Sequence, residues 1–199
     1  RPQESGAPDA SGKTGVVVMS SLIPAYVDGV LVPVDKLEVH QRGLRHPAVS
    51  VFVMQDNRML LQKRAAHKYH TPGLWTNACC THPHWGERAS ACATRRLDEE
   101  LGLRGLSIRH MGVIEYRADV FRGLIEHEVA EIFAAEVHGP ISMALNPDEV
   151  DEVAWVPLDK LEAALSHSPE RYTPWLRIYM AQHREMILGH RAGGETVSV

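Results

Sequence analysis

The residues of this chain that could carry chemistry fall into three groups. Cys80 and His82 lie two apart in the stretch Trp75-Thr76-Asn77-Ala78-Cys79-Cys80-Thr81-His82-Pro83-His84-Trp85-Gly86-Glu87. In an extended segment that spacing turns thiol and imidazole to one side, so the sulfur is available as nucleophile, metal ligand or proton donor. The plainer reading of Cys79 and Cys80 is two small buried residues. Glu126 and Glu128 are also two apart, and they alternate in phase with Leu124, Ala130 and Ile132, which puts two carboxylates on an otherwise apolar strand face. If they share a cavity with His40, His46 and His82, three imidazoles and two carboxylates form a nitrogen–oxygen site. Such a site suits a hard or borderline divalent ion, Mn²⁺, Mg²⁺ or Zn²⁺. The third group is basic: Lys36, Arg64, Lys68 and Arg96. Singly these are solvated surface charges, but together they suit a phosphate ester, with arginine as a two-pronged donor and lysine as a point charge. Trp175, in Tyr172-Thr173-Pro174-Trp175, presents a π face that a cationic intermediate could use, although tryptophan is more often core.

The elements that must position these groups follow from periodicity and turn chemistry. Residues 1–18 are rich in Gly, Ser, Pro and Ala without periodicity and read as a tail, with folded sequence starting near Ile23. Ala25 to Val34, centred on Asp28-Gly29, has the form of a hairpin. Residues 20–35 could serve as a lid. Ala48 to Met54 is an apolar, β-branched run of strand length, and a turn at Asp56-Asn57 leads to a second strand, Met59 to Gln62. Lys63 to Gly73 is basic and turn-rich and reads as a loop on the surface of a site. From Arg88 to Leu101 a helix is predicted, with Ala89, Ala93, Leu97 and Leu101 as its buried stripe, Arg96 and Glu100 on an adjoining face and Gly102 as its stop. Ser107 to Tyr116 and Leu124 to Val137 read as strands, Val153 to Val156 as a third, followed by a helix opened by Pro157 and Asp159. A last helix spans about Pro174 to Leu188, with 191–199 frayed. Strands interleaved with helices predict a mixed α/β (α+β) sandwich.

Composition narrows the class. With 199 residues and 44% hydrophobic content, one domain with a real core is expected, here 19–190. A net charge of −4, a pI near 6.3 and no Lys/Arg run give no footprint for nucleic acid or an anionic membrane. Three cysteines form no disulfide framework, and no apolar run reaches the length of a membrane span. A soluble cytoplasmic protein acting on a small molecule is expected.

Two resemblances sharpen this. Thr81 to Leu103 resembles a degenerate Nudix box: Glu87, Arg95, Glu99, Glu100 and Gly102 match, while Thr81 stands for the leading glycine and Arg96 for the first glutamate of the helix. In Nudix hydrolases that glutamate helps bind the metals that drive diphosphate cleavage, so a cation there implies holding a diphosphate without cutting it. The wider pattern resembles the type I isopentenyl-diphosphate Δ-isomerases. It rests on Lys36-Leu37-Glu38-Val39-His40 with His46, Arg64 to Lys68, Trp75 to Pro83, Arg95-Arg96-Leu97, Tyr116-Arg117-Ala118, Glu126-His127-Glu128-Val129 and Thr173-Pro174-Trp175. The resemblance implies a Nudix-like mixed sheet between helices, acting as a monomer. It also implies interconversion of isopentenyl and dimethylallyl diphosphate by proton addition and removal, with Cys80 and Glu128 as the opposed acid–base pair and Tyr116 beside the carboxylate. Glu128 is expected to protonate the terminal carbon and Cys80 to take the proton from C2. His40, His46, His82, Glu126 and Glu128 would hold one divalent ion. Glu100, with the Cys80 main-chain carbonyl, would hold a Mg²⁺ that accompanies the diphosphate, and Lys36, Arg64, Lys68 and Arg96 would contact the phosphates. The alternative is a Nudix-fold protein that binds or hydrolyses other diphosphates.

Overall fold

The computed structural model describes residues 22–189. The tails expected at 1–18 and 191–199 lie outside them. The hairpin forms as its Asp-Gly turn predicts: β1 (Leu22–Val27) pairs antiparallel with β2 (Val30–Asp35), with Asp28 and Gly29 at φ 50° and 80°. It is docked, because Ile23 and Ala25 bury against Val39 and the Tyr26 amide donates to the Arg45 carbonyl at 2.8 Å. Between Lys36 and Arg42 the chain makes a short helix, α1. The side chain of Asp35 caps it by accepting from the amides of Leu37 and Glu38, and Gly43 ends it in the left-handed region.

The main sheet has seven strands. These are β3 (His46–Gln55), β4 (Arg58–Arg64), β5 (Trp75–Asn77), β6 (Cys79–Thr81), β7 (Ile108–Asp119), β8 (Ile125–Glu136) and β9 (Val150–Pro157). Their order is β5-β4-β3-β8-β7, with β6 also on β3 and β9 also on β4. Only β3 and β8 run parallel, so both begin at the same end of the sheet, His46 opposite Glu128. Alternation along β3 sorts the core. Ala48, Phe52 and Met54 face α3 (Leu158–His167), α4 (Pro174–Gln182) and α5 (Arg184–Leu188), packing with Ala130, Ile132, Leu161, Leu176 and Tyr179. Val49, Val51 and Val53 face the other way, onto α2 (Ala89–Leu101) through Cys92, Ala93, Leu97 and Leu101. Full burial of Leu97 and Leu101 contributes about 1.5–3 kcal/mol each. Helices on both faces of a mixed sheet give the sandwich that the element order implied.

Gly102 is required where it stands. It closes α2 at φ 66°, and a Cβ there would lie 2.8 Å from the Ala144 Cβ and amide nitrogen. That close approach lets the Ala144 and Asn146 amides cap the Leu101 and Glu100 carbonyls, which brings the following Glu149 to the end of the sheet.

Several expected boundaries shift. The strand at Ala48 to Met54 starts earlier, at His46, because the parallel β8 continues to pair with it there. Lys63 and Arg64 belong to β4, and within the segment expected on the surface Arg64, Ala65, His70 and Thr71 are buried. The closing helix is two helices: His183, at φ −130° and ψ 15°, breaks it, and the shorter α5 turns Ile187 and Leu188 into the core.

One clip joins the loop after β6 to α2. Arg95 donates through Nε and Nη2 to both oxygens of Glu87 at 2.7 and 2.8 Å, and the His84 amide donates to Glu87 at 2.8 Å. The Arg95 hydrogen bond is the main cause that lowers the Glu87 pKa from 4.5 to about 2. Because folding lowers it, the stabilisation is complete above 4.5 and is lost as pH falls through that value toward 2. Glu87→Gln is expected to cost about 1 kcal/mol in urea unfolding at pH 7, with the gap to the unmodified protein narrowing in acid. A gap that stays constant with pH would assign the loss to packing.

Candidate active site

At the end of the sheet where β3 and β8 begin, four buried side chains converge. One ligand atom from each of His40, His46, His82 and Glu126 lies within 4.8 Å of the others. α1 supplies His40, the first residue of β3 supplies His46, the residue after β6 supplies His82, and β8 supplies Glu126. Backbone contacts fix two of the rings. The His40 Nδ1 is 2.5 Å from the Lys36 carbonyl and the His46 Nδ1 is 2.7 Å from the Leu44 carbonyl. A carbonyl only accepts, so both rings hold a proton on Nδ1 and turn Nε2 inward. Glu126 Oε2 lies 3.1 Å from His40 Nε2 and 3.6 Å from His46 Nε2. The His40 Nε2 and Glu126 Oε2 are buried without a hydrogen-bond partner. Burial, then the charge of Lys36, lowers the His82 pKa, so this ring is neutral. Imidazole nitrogens and a carboxylate oxygen turned toward one point, away from water, fit a divalent cation.

Glu128 adjoins this group, with Oε1 3.2 Å from His82 Nε2 and Oε2 accepting from the Tyr116 hydroxyl at 2.7 Å. The antiparallel register of β7 and β8 sets Tyr116 directly opposite Glu128. Burial, reinforced by the charge of Glu126, pushes the Glu128 carboxyl well above the usual carboxylate range. On the other edge of β3, pairing of Ser50 with Cys80 places the thiol. Its sulfur lies 3.1 Å from Ser50 Oγ and donates to Asn77 Oδ1 at 3.1 Å. Burial raises the thiol pKa to about 12, so Cys80 rests protonated. Cys80 and Glu128 thus approach one cavity from strands on either side of β3.

The four basic residues line that same cavity, of about 30 Å³, with Trp175. Burial, then the neighbouring Lys68, lowers the Lys36 pKa to about 8. The Arg64 guanidinium lies 5.5 Å over the Trp175 ring, and its buried Nε has no partner, a donor left over for an anion. The Trp175 indole N–H donates to Thr76 Oγ1 at 2.8 Å, which fixes the ring plane. Arg96 donates to Glu100 at 2.7 Å and contacts Glu149 at 3.1 Å, while Lys68 also pairs with Glu149. Burial opposes the Arg96 charge, but Glu100 and Glu149 outweigh it and hold the guanidinium firmly protonated. Glu100 further accepts from Gln62 at 2.9 Å.

Every site residue expected from the sequence is therefore gathered at one place. Four neighbours were not anticipated. Glu149 forms the anionic wall of the basic cradle, Ser50 and Asn77 hold the Cys80 sulfur, and His70 reaches Glu126 at 2.8 Å. Burial lowers the His70 pKa to about 4. Tyr179, within the expected last helix, also bonds Ser50, at 3.0 Å. Only the Thr76-Asn77 pair, inside the motif around Cys80, carried a signal that could have drawn attention to it.

Comparison with known proteins gives the family. A family model described as the NUDIX domain matches residues 44–176. Isopentenyl-diphosphate Delta-isomerase of Rhodobacter capsulatus is 59% identical over 166 residues, covering 83% of this chain and 94% of that protein. The enzyme of the same name from Dinoroseobacter shibae is 60% identical over 171 residues, 86% of this chain and 97% of that one. Among solved structures, the DR0079 protein of Deinococcus radiodurans superposes with a TM-score of 0.61 at 14% identity, covering 80% of this chain and 96% of that one. A MutT NUDIX hydrolase of Burkholderia pseudomallei gives a TM-score of 0.54 at 25% identity, covering 70% and 98%. The chain is a member of the NUDIX domain family and, within that fold, of the isopentenyl-diphosphate Delta-isomerases.

Proposed function

We propose that this protein interconverts isopentenyl diphosphate and dimethylallyl diphosphate, moving a C=C bond by adding a proton at one carbon and removing one from another. The observation that carries the reading is the single cavity that holds the Cys80 thiol, the Glu128 carboxyl, Trp175 and the four cations. It is supported by relatives of that name at close to 60% identity over nearly their whole length. Lys36, Arg64, Lys68 and Arg96 bind the diphosphate and so place the alkene between Cys80 and Glu128. Protonating an unactivated alkene is uphill, so the acid must be positioned and dry. Glu128, kept protonated by burial and oriented by Tyr116, gives a proton to the terminal carbon. The tertiary carbocation is stabilised by the Trp175 face. Cys80 takes the proton from C2 once its own has passed, by way of Ser50, Tyr179 and Tyr116, to the Glu128 carboxylate that the first transfer leaves, so both groups end as they began; in the reverse direction they exchange roles.

A divalent ion, Mn²⁺, Mg²⁺ or Zn²⁺, held by His40, His46, His82, Glu126 and Glu128 would offset the crowded carboxylate charge and tune the acidity of Glu128. Glu100 and the Cys80 carbonyl are the groups that would take a Mg²⁺ arriving with the diphosphate. A cavity of about 30 Å³ admits little more than a water molecule, so substrate entry calls for movement of its lining, of which Arg64, Lys68, Tyr69 and His70 lie in one loop-rich segment. Among the described residues no helix is long and apolar enough to cross a membrane. The reading takes the catalytic unit to be the single domain 19–190, working as a monomer in the cytoplasm, where its three free cysteines suit a reducing medium.

Proton NMR of isopentenyl diphosphate incubated with the protein and Mg²⁺ in D₂O tests the activity. Dimethylallyl signals with deuterium in the methyl group and at C2 are expected; unchanged substrate, or release of inorganic phosphate, would overturn it. The division of labour has its own readout. Cys80→Ser and Glu128→Gln should each lower kcat by at least about 100-fold. In Cys80→Ser, label should still enter the terminal carbon but not C2, whereas equal loss of label at both carbons would contradict the assignment.

A further inference from the structure

His70 belongs to neither the cation cradle nor the ligand cluster, yet it lies between them. Its ring is 5% exposed, stacked on Tyr69 at 4.4 Å and 6.0 Å from Trp175. Nε2 lies 2.8 Å from Glu126 Oε1. On the other side, Arg64 Nη2 is 3.5 Å from His70 Nδ1 and 3.4 Å from the His70 carbonyl. A guanidinium only donates, so Nδ1 accepts and the neutral ring carries its proton on Nε2, where it donates to Glu126. Glu126 then has one oxygen committed to His70, while Oε2 is left, without a hydrogen-bond partner, against His40 and His46.

We propose that His70 is a positioning residue for the metal ligand Glu126. Its N–H fixes the rotation of the carboxylate so that Oε2 alone faces the ion, and its Nδ1 ties that carboxylate to the phosphate-binding Arg64. The inference rests on the reading of the cluster as a divalent-metal site. A ligating carboxylate free to rotate loses affinity, because the orienting partner no longer pre-sets its lone pair; loss of such a partner typically costs 10–100-fold.

The test is a Mn²⁺ titration of the full-length protein without diphosphate, with free Mn²⁺ read by electron paramagnetic resonance. Two variants separate the hydrogen bond from the packing: His70→Phe keeps a ring against Tyr69 but has no N–H, and His70→Gln keeps an N–H donor without the ring. The unmodified protein is expected to bind one Mn²⁺ tightly, His70→Phe to bind it about tenfold or more weakly and His70→Gln to stay near the unmodified value. Circular dichroism confirms that each is folded. If His70→Phe binds as tightly as the unmodified protein, or His70→Gln falls as far as His70→Phe, the positioning role is wrong. If the unmodified protein binds no Mn²⁺, the metal reading itself fails.

Discussion

The constraint on which the rest of this structure depends is the convergence of buried lone pairs at the start of β3 and β8. Nε2 of His40 and of His46 lie 3.1 and 3.6 Å from Oε2 of Glu126, and the His40 nitrogen and that oxygen have no hydrogen-bond partner. Away from water such an arrangement costs several kcal/mol unless a cation or shared protons occupy its centre. Much of the surrounding architecture can be read as holding those atoms in place. The Asp35 cap and Gly43 stop fix α1 and hence His40. Parallel pairing of β3 with β8 fixes His46 beside Glu128. Pairing of β6 with β3 fixes His82, and with it Cys80.

Beside that centre the charges are balanced in a second, separate way. Two cations of the cradle, Lys68 and Arg96, are held by a wall of two carboxylates, Glu100 and Glu149. On the proposed reading, the placement of Arg96 is what separates this site from a hydrolytic one. A glutamate at that turn of α2 would add a further carboxylate beside Glu99 and Glu100 and favour metals, whereas the guanidinium there spans Glu99, Glu100 and Glu149. On the proposed reading, the same fold binds a diphosphate while the reacting carbon atoms lie elsewhere, between Cys80 and Glu128. This is how a shared scaffold hosts different chemistries.

Much of the site was legible in the sequence because strand alternation carries direct information about direction. The two-residue spacing of Glu126 and Glu128, and of Cys80 and His82, was enough to put each pair on one side, and they line one cavity. The sandwich, the hairpin and the amphipathic face of α2 were legible for the same reason: each repeats with the period of its element. What was not legible depends on contacts distant in sequence. His70 sits in a turn-rich segment and meets Glu126 56 residues later. Glu149 follows an irregular stretch whose path is set by the close approach of Ala144 to Gly102. Ser50 reads as an ordinary strand residue until β6 is paired beside it. The break at His183 has no proline or glycine to announce it; it follows from the need to bury Ile187 and Leu188.

The most direct test of this account is anomalous X-ray diffraction from crystals of the protein grown with Mn²⁺ or Zn²⁺. The account predicts one strong peak about 2.0–2.3 Å from the Nε2 atoms of His40, His46 and His82 and from Glu126 Oε2. No peak at that point, with the four side chains still converging, would mean that shared protons hold the cluster together and that its role in the reaction is not that of a metal site.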